Sequence, residues 1–530
     1  MTRLTDISAP SLRTGRLLRL VRIVVSVSFL ILISALFAWG NANVAVSLQW
    51  TAKIQIVPLI ISSSATALAV WIIVTLIFGR VYCSTICPTG TLQDIFARLR
   101  RHNRHILYKR PYHYSAPNNP LRYTVLGIIA LTFALGAAML LSLLDPYSAY
   151  GRIASELLAP VMQWISGNEI VIGSVSGIIV AVLTLLLTGI AAWVQGRVLC
   201  NTICPVGTLL SIFSRWSLFH FDIDTDTCIN CRKCEHVCKA HCINLNDHVV
   251  DSSRCVVCFD CTDICPEGAI RYTSRRKKLS IPMLQRIQSA APTASVAKIQ
   301  KASTDAQVPE ASAQTGMTAP ARSTDVPVRI DRRAFIATGL ILAATPIAKL
   351  FAEASVMAGD RYPIKPEHPV MPPGRRSMAD FLHRCTGCGL CVSHCPTHIL
   401  RPAYNQLGLQ NMLHPVMDYD RGACLYDCTL CTQLCPTSAL TPLTSEEKHI
   451  FIIGHARVAP ENCIGCGACS AACPRHAISM KMRPAQGPGY RGSRSHRIAC
   501  VDTTLCIGCG ACQDVCPGRP YKAIIIDGII

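Results

Sequence analysis

The stretch GRVYCSTICPTGTLQDIFARL, Gly79–Leu99, recurs as GRVLCNTICPVGTLLSIFSRW, Gly196–Trp216, without gaps and with 14 of 21 positions identical. The region is therefore two copies of one unit, and each copy follows an apolar run. Such runs lie at Ile23–Trp39, Val57–Phe78, Tyr123–Leu144 and Ile170–Val194. Each is long enough to cross a hydrocarbon core of about 30 Å, so four transmembrane helices are expected within residues 1–216. Arg3, Arg13, Arg16, Arg19 and Arg22 precede the first run, and Lys53 alone follows it. Arg80, Arg98, Arg100, Arg101, Arg104, Lys109, Arg110 and Arg122 crowd the next loop, against a single Arg152 in the one after. That asymmetry puts the N-terminus and both repeat copies on the cytoplasmic side. Cys83, Cys87, Cys200 and Cys204 can then meet on one membrane face as four thiolates, a set that suits an iron–sulfur cluster, a zinc ion or a dithiol pair. No histidine falls within a run and no C-x-x-C-H occurs, which argues against haem.

The chain has 530 residues, half of them hydrophobic and 15% charged, with thirty cysteines, and its mean hydropathy is +0.34. Its net charge of +20 gathers in loops beside apolar runs, so nucleic-acid binding is not expected. After the second repeat, residues 217–273 carry the spacing C-x2-C-x2-C-x3-C twice, at Cys228, Cys231, Cys234, Cys238 and at Cys255, Cys258, Cys261, Cys265. This is bacterial ferredoxin spacing: three cysteines wrap one [4Fe-4S] cube and the fourth reaches the partner cube. Cluster one is then Cys228, Cys231, Cys234 and Cys265, and cluster two is Cys255, Cys258, Cys261 and Cys238. Zinc would want paired C-x-x-C knuckles instead. Cys242 is a spare, expected as a buried thiol.

Residues 274–328 are rich in Ala, Ser, Thr, Gln and Lys and lack apolar periodicity, which reads as a disordered linker. Residues 329–354 follow with Arg332, Arg333, Phe335 and Ile336 ahead of the apolar run Ala334–Ala348. This resembles a twin-arginine export signal, which sends folded, cofactor-loaded proteins across a bacterial membrane, and serves as a fifth apolar signal or anchor helix. Ala352-Glu353-Ala354 offers a cleavage site. Residues 355–530 hold four more motifs: Cys385, Cys388, Cys391, Cys395; Cys424, Cys428, Cys431, Cys435; Cys463, Cys466, Cys469, Cys473; and Cys506, Cys509, Cys512, Cys516. Four motifs can pair in three ways. Gly387, Gly389, Gly465, Gly467, Gly508 and Gly510 are expected to take positive φ beside the cluster sulfurs. Ala477–Met480 and Ala523–Ile526 read as small strands, and Cys500 is left over. An oxidising periplasm would cross-link the 17 cysteines of this half, so clusters must form before export, as a pathway for folded cargo allows. The expected fold is thus an α-helical membrane domain plus small α+β ferredoxin-like domains holding six [4Fe-4S] clusters.

Residues from about 20 to 272, with their paired C-x-x-x-C-P, resemble NapH of the NapH/NosR/CcoG group of membrane ferredoxins. Residues from about 329 to 530, with the widened second motif, resemble the NapG/MauM group. The chain is similar to a head-to-tail fusion of two quinol-dehydrogenase modules. The resemblance implies oxidation of membrane quinol and delivery of electrons to a periplasmic cytochrome or reductase of the nitrate-reductase type. It implies a multi-pass protein of the bacterial inner membrane with its C-terminal clusters in the periplasm. It favours pairing the first C-terminal motif with the fourth and the second with the third. The CcoG and MauM relatives suggest an alternative, a redox assembly factor for a metalloenzyme. No ligand is evident between the two membrane faces, so a quinol or an unrecognised centre must bridge them. Asp145, Tyr147 and Tyr150 are conceivable quinol contacts, with helix-end anchoring as their competing role.

Overall fold

The computed structural model describes residues 10–102, 111–166, 175–274, 366–404, 406–483, 496–519 and 521–529. The linker beyond Ser274, the twin-arginine segment and the Ala352–Ala354 site lie outside the described residues. Pro10–Ala38 forms one helix of 29 residues, about 43 Å at the helical rise. Among the described residues two helices are long and apolar enough to cross a membrane, Gly15–Ala38 and Ser176–Gln195.

The expectation of four uninterrupted spans is corrected here. The second run breaks into Ile56–Ile61 and Ala65–Phe78 at three consecutive serines. Ser62 Oγ donates back to the Leu59 carbonyl and Ser63 adopts φ 59°, so side chains and a left-handed residue end the helix. The third run breaks into Asn119–Ala134 and Met139–Leu144 at Gly136, whose φ of 84° is that of a helix-ending glycine. The outer surface of the helical body remains apolar: Leu20, Val24, Ile31, Leu187 and Ile190 are all more than half exposed. After each pair of repeat cysteines a proline opens a new helix, Pro88–His102 and Pro205–Ser214, where the missing N–H costs nothing.

Residues 219–274 form an α+β unit closed by the antiparallel strands Phe219–Ile223 and Ile270–Ser274. The C-terminal half pairs Leu400–Pro402 with Pro415–Met417, Gly454–Val458 with Ile524–Gly528, and Ile478–Arg483 with His496–Val501. The last two pairs contain the strands expected near 477–480 and 523–526.

The two ferredoxin-like units pack at opposite ends of the long N-terminal helix. At its start, Arg19 Nε donates to Asp260 Oδ1 at 3.1 Å and the Arg19 guanidinium also pairs with Asp263, both on the 219–274 unit. At its end, Phe37 packs with Tyr147, Leu390 and Leu434, the last two from the C-terminal unit. Ser142 Oγ donates to the Thr386 carbonyl at 2.6 Å, and Arg152 Nη1 to the Ser142 carbonyl at 2.9 Å. Leu390 is wholly buried in this joint. Its replacement by Ala should cost about 2–5 kcal/mol. The expected outcome is a lower denaturant midpoint and faster proteolytic release of the C-terminal half, and an unchanged digestion rate would contradict the joint.

Candidate metal centres

Five of the six ferredoxin motifs share one backbone device, the one at Cys424–Cys435 with its widened opening being the exception. Two and four residues after the first cysteine the chain is left-handed, at Asn230 and Arg232 and again at Val257 and Phe259. Gly387 and Gly389, Gly465 and Gly467, and Gly508 and Gly510 occupy the equivalent positions with positive φ, as expected. Each second left-handed residue starts the short helix that carries the third cysteine. Cys228, Cys231, Cys234 and Cys265 line one hollow. Burial first, then Cys258, Cys255 and Cys238, pushes the Cys261 thiol well above its ordinary value. Both N-terminal sets are thus those expected from spacing. The spare Cys242 is buried with its Sγ 3.5 Å from Cys238 Sγ, beside cluster two.

In the C-terminal half the structure overturns the expected pairing. Cys385, Cys388 and Cys391 gather with Cys435, and Cys424, Cys428 and Cys431 with Cys395. Cys463, Cys466 and Cys469 share a hollow with Cys516, and Cys506, Cys509 and Cys512 share one with Cys473. First therefore joins second and third joins fourth. The cause is local: helix Leu390–Ser393 packs on Leu430–Leu434, and Ala468–Ala471 on Ala511–Asp514. The two pairs abut where the Cys424 N–H donates to the Cys509 carbonyl at 2.9 Å and Tyr419 OH donates to the Gly508 carbonyl at 2.7 Å.

The repeat builds the remaining site. Cys87 lies within electrostatic reach of Cys83, Cys200 and Cys204, so all four repeat cysteines come together. Each copy locks the other: Arg80 Nη2 donates to the Cys200 carbonyl at 3.2 Å, and Arg197 Nη1 to the Cys83 carbonyl at 2.6 Å. Both arginines are fully buried. A Cβ on Gly90 would collide with the Cys83 carbonyl, and one on Gly207 with the Cys200 carbonyl. Arg197 Nε also donates to Asp94 Oδ1 at 2.8 Å, and Asp94 is shared with Lys239 Nζ at 3.1 Å and with Arg22. Three cations hold the Asp94 carboxyl far below the usual carboxylate range, although burial opposes them. Arg80, by contrast, donates to Asn201 Oδ1 at 2.6 Å and to the Ser253 carbonyl at 3.2 Å, and its Nη2 lies 3.8 Å from Cys83 Sγ. Four thiols facing one another, with two guanidiniums beside them, fit an anionic metal cluster. Among the described residues no three His, Cys, Asp or Glu side chains close on a single metal ion, in the ferredoxin sets or here.

This site does not sit apart on one face. On one side Val256 and Cys258 of cluster two pack with Tyr82, Cys83 and Cys87. On the other, Leu141 joins the same cluster of side chains, while its neighbour Ser142 holds Thr386 beside Cys385. Asp145 is within electrostatic reach of both Tyr82 and Cys388. Asp145 itself caps helix Pro146–Ile153, accepting from the Ser148 N–H at 2.8 Å and Ser148 Oγ at 2.6 Å. Tyr147 is buried against Phe37, and Tyr150 OH lies 2.6 Å from Ser34 Oγ. Asp145 and Tyr150 thus make structural hydrogen bonds, whereas the buried Tyr147 hydroxyl has no hydrogen-bond partner among the described residues.

Sequence comparison agrees with these groupings. A family described as "4Fe-4S binding domain" matches residues 63–106 and 174–224, one copy of the repeat in each. A family described as "4Fe-4S dicluster domain" matches 384–439 and 462–519, the two pairs of motifs that the structure joins. An uncharacterized protein of Methanocaldococcus jannaschii is 29% identical over 167 residues, 32% of this chain and 54% of its own. The methylamine utilization ferredoxin-type protein MauM of Methylobacillus flagellatus is 32% identical over 121 residues, 22% of this chain and 51% of its own. Ferredoxin-type protein NapF of Escherichia coli is 29% identical over 151 residues, 22% of this chain and 87% of its own. The chain thus spans about half the length of the first two relatives. No solved structure matches. The chain carries 4Fe-4S ferredoxin-type domains.

Gly90→Ala and Gly207→Ala should each displace the cysteine carbonyl of its own copy, which the arginine of the opposite copy holds, and lower the yield of folded protein. Gly127→Ala, with nothing within 4 Å of the added carbon, should be neutral. Asp94→Asn leaves three buried cations facing a neutral amide and should destabilise by about 3–5 kcal/mol. Thermal melts of the purified variants check both, and equal melting of all four proteins would contradict the lock.

Proposed function

We propose that the chain draws electrons from the membrane quinol pool and passes them through its [4Fe-4S] clusters to a periplasmic reductase or cytochrome, of the kind that serves nitrate reduction. The observation that carries the electron-transfer part is the order of the cysteine sets. They follow one another from the 219–274 unit to the C-terminal unit, and the first and last of them hold the two exposed ligands, Cys231 and Cys466. Exposed centres at the ends and buried ones between are what a wire needs, because partners must come close at the ends and water must be kept from the middle. We read the protein as a multi-pass protein of the bacterial cytoplasmic membrane. Its 217–273 unit then faces the cytoplasm and its 355–530 unit the periplasm, as a fusion of NapH-like and NapG-like modules would be arranged. Placement of the two units at opposite ends of a span-length apolar helix supports that arrangement.

A quinol is a two-electron, two-proton donor and must split its electrons between one-electron carriers. An open hollow at the end of the long helix, lined by Trp39, Asn41, Met162 and Gln163, offers a quinol head a place to dock. It lies beside the first two C-terminal sets, cluster three with Cys391 and cluster four with Cys395, since Trp39 borders His394 between those two cysteines.

A quinol analogue should therefore reduce the clusters of the purified protein and sustain reduction of an added one-electron acceptor. Cys466→Ala should slow delivery to the acceptor at least tenfold while leaving the Cys385–Cys435 set reducible. Six cubes predict about 24 irons per chain. Clusters that no quinol can reduce would remove the quinol from this reading. Turnover that stops once a client metalloenzyme is mature would replace respiration by redox assembly.

A further inference from the structure

Quinol at the outer end leaves a question, because clusters one and two lie off that route. If electrons entered only beside cluster three, the 219–274 unit and the repeat cysteines would be idle. Yet these parts are joined to one another by buried contacts, those of Arg80 and Arg197 among them. Between Arg19, which holds the 219–274 unit, and Phe37, which meets the C-terminal unit, the long helix rises about 27 Å. Tunnelling decays exponentially with distance, so a gap of that size needs a centre inside it.

The repeat site occupies that position. Val256, Cys258 and Leu141 belong to the same packed cluster of side chains as Cys83 and Cys87, and Ser142, next to Leu141, holds Thr386 beside Cys385. Arg197 is within electrostatic reach of Cys200 and Cys258 alike. A second observation points to negative charge at the site. Arg80 is fully buried, and among the described residues no carboxylate pairs with it, its polar contacts being Asn201, two carbonyls and the Cys83 sulfur. A guanidinium cannot shed its proton, so a buried one needs a counter-charge, and thiolates gathered around a metal cluster supply it.

We propose that Cys83, Cys87, Cys200 and Cys204 hold a seventh redox centre that joins the two ferredoxin-like units into one electron path across the apolar body. The path is entered at the Cys228–Cys231 end by a reduced one-electron protein of the ferredoxin or flavodoxin class. This rests on the iron–sulfur reading above and adds a second entrance to it. Each electron lost by that donor is gained by an oxidised one-electron acceptor at the Cys463–Cys466 end. No bond forms or breaks, no proton travels with the electron, and the charge moved is balanced by ions in the medium. Arg80 and Arg197 position the cysteine loops and offset their charge.

The full chain, reconstituted in quinone-free vesicles with ferricyanide trapped inside and dithionite outside, tests the proposal. The wild type should bleach the trapped ferricyanide and carry about 28 irons. The double variant Cys87→Ser/Cys204→Ser should bleach it at least tenfold more slowly, lose about four irons, and keep the paramagnetic signals of the other six sets. Bleaching by the wild type only after quinone is added would overturn the path, as would a double variant that conducts or retains all its iron. Because wild-type iron and transfer are measured by themselves, a variant that misfolds leaves the proposal exposed to both. A wild type with about 24 irons sinks the seventh centre alone, whereas one with far fewer sinks the ferredoxin reading beneath it.

Discussion

Two buried guanidiniums decide how the helical body closes. Arg80 and Arg197 stand at the same position of the two repeat copies, and each donates to the cysteine carbonyl of the opposite copy. Removing a charge from water costs several kcal/mol, so neither arginine would be tolerated inside unless the other copy were there to receive it. The lock is therefore specific: it forms only when both halves fold and meet in one register. Gly90 and Gly207 let the helix ends approach close enough for it, since any side chain there would displace the carbonyl that the arginine holds.

From that lock the charge pattern spreads outward. Arg197 shares Asp94 with Arg22 and Lys239, Lys239 Nζ also reaches Asp260 Oδ2 at 3.0 Å, and Asp260 in turn receives Arg19. Cations outnumber carboxylates in this seam, which runs beside Cys258 and Cys200, two positions that bring negative charge when they ligate iron. Reduction potentials of such centres respond to local charge and hydrogen bonding. The N-terminal helix thus docks the 219–274 unit through its arginines.

What the sequence reveals follows from how local each constraint is. Ferredoxin sets at 228–265 could be read from spacing because ligand, turn and partner motif all lie within about forty residues. The glycines two and four places after a first cysteine were legible for the same reason, being demanded by the turn itself. Asn230, Arg232, Val257 and Phe259 take the same conformation without glycine, so only the coordinates expose them. Pairing in the C-terminal half went unread from spacing because all three arrangements satisfy it; the contact of helix Leu390–Ser393 with Leu430–Leu434 decides. Hydropathy likewise could not see the helix breaks at Ser62–Ser64 and Gly136, since an apolar average ignores one left-handed residue. The arginine lock left a trace, the Gly-Arg that opens both copies, but counting charges for orientation absorbed it.

The differences between the copies carry information of their own. The lock residues are duplicated unchanged, whereas Gln93 and Asp94 in the first copy become Leu210 and Ser211 in the second. Gln93 Oε1 accepts from Cys200 Sγ at 3.0 Å, and Asp94 collects the cations of the N-terminal helix. Leu210 instead packs with Ile56 and Val57, and Ser211 only closes its own helix turn. Ser84 and Asn201, also equivalent, both turn toward the 219–274 unit, the first to the Val257 carbonyl and the second to the Ala240 carbonyl. One end of the pseudo-symmetric site is thus capped evenly by a single ferredoxin-like unit, while its flanks have diverged, one for a charged helix and one for an apolar one. The two copies thus keep the same cysteines and the same arginine lock and differ in what their flanks pack against.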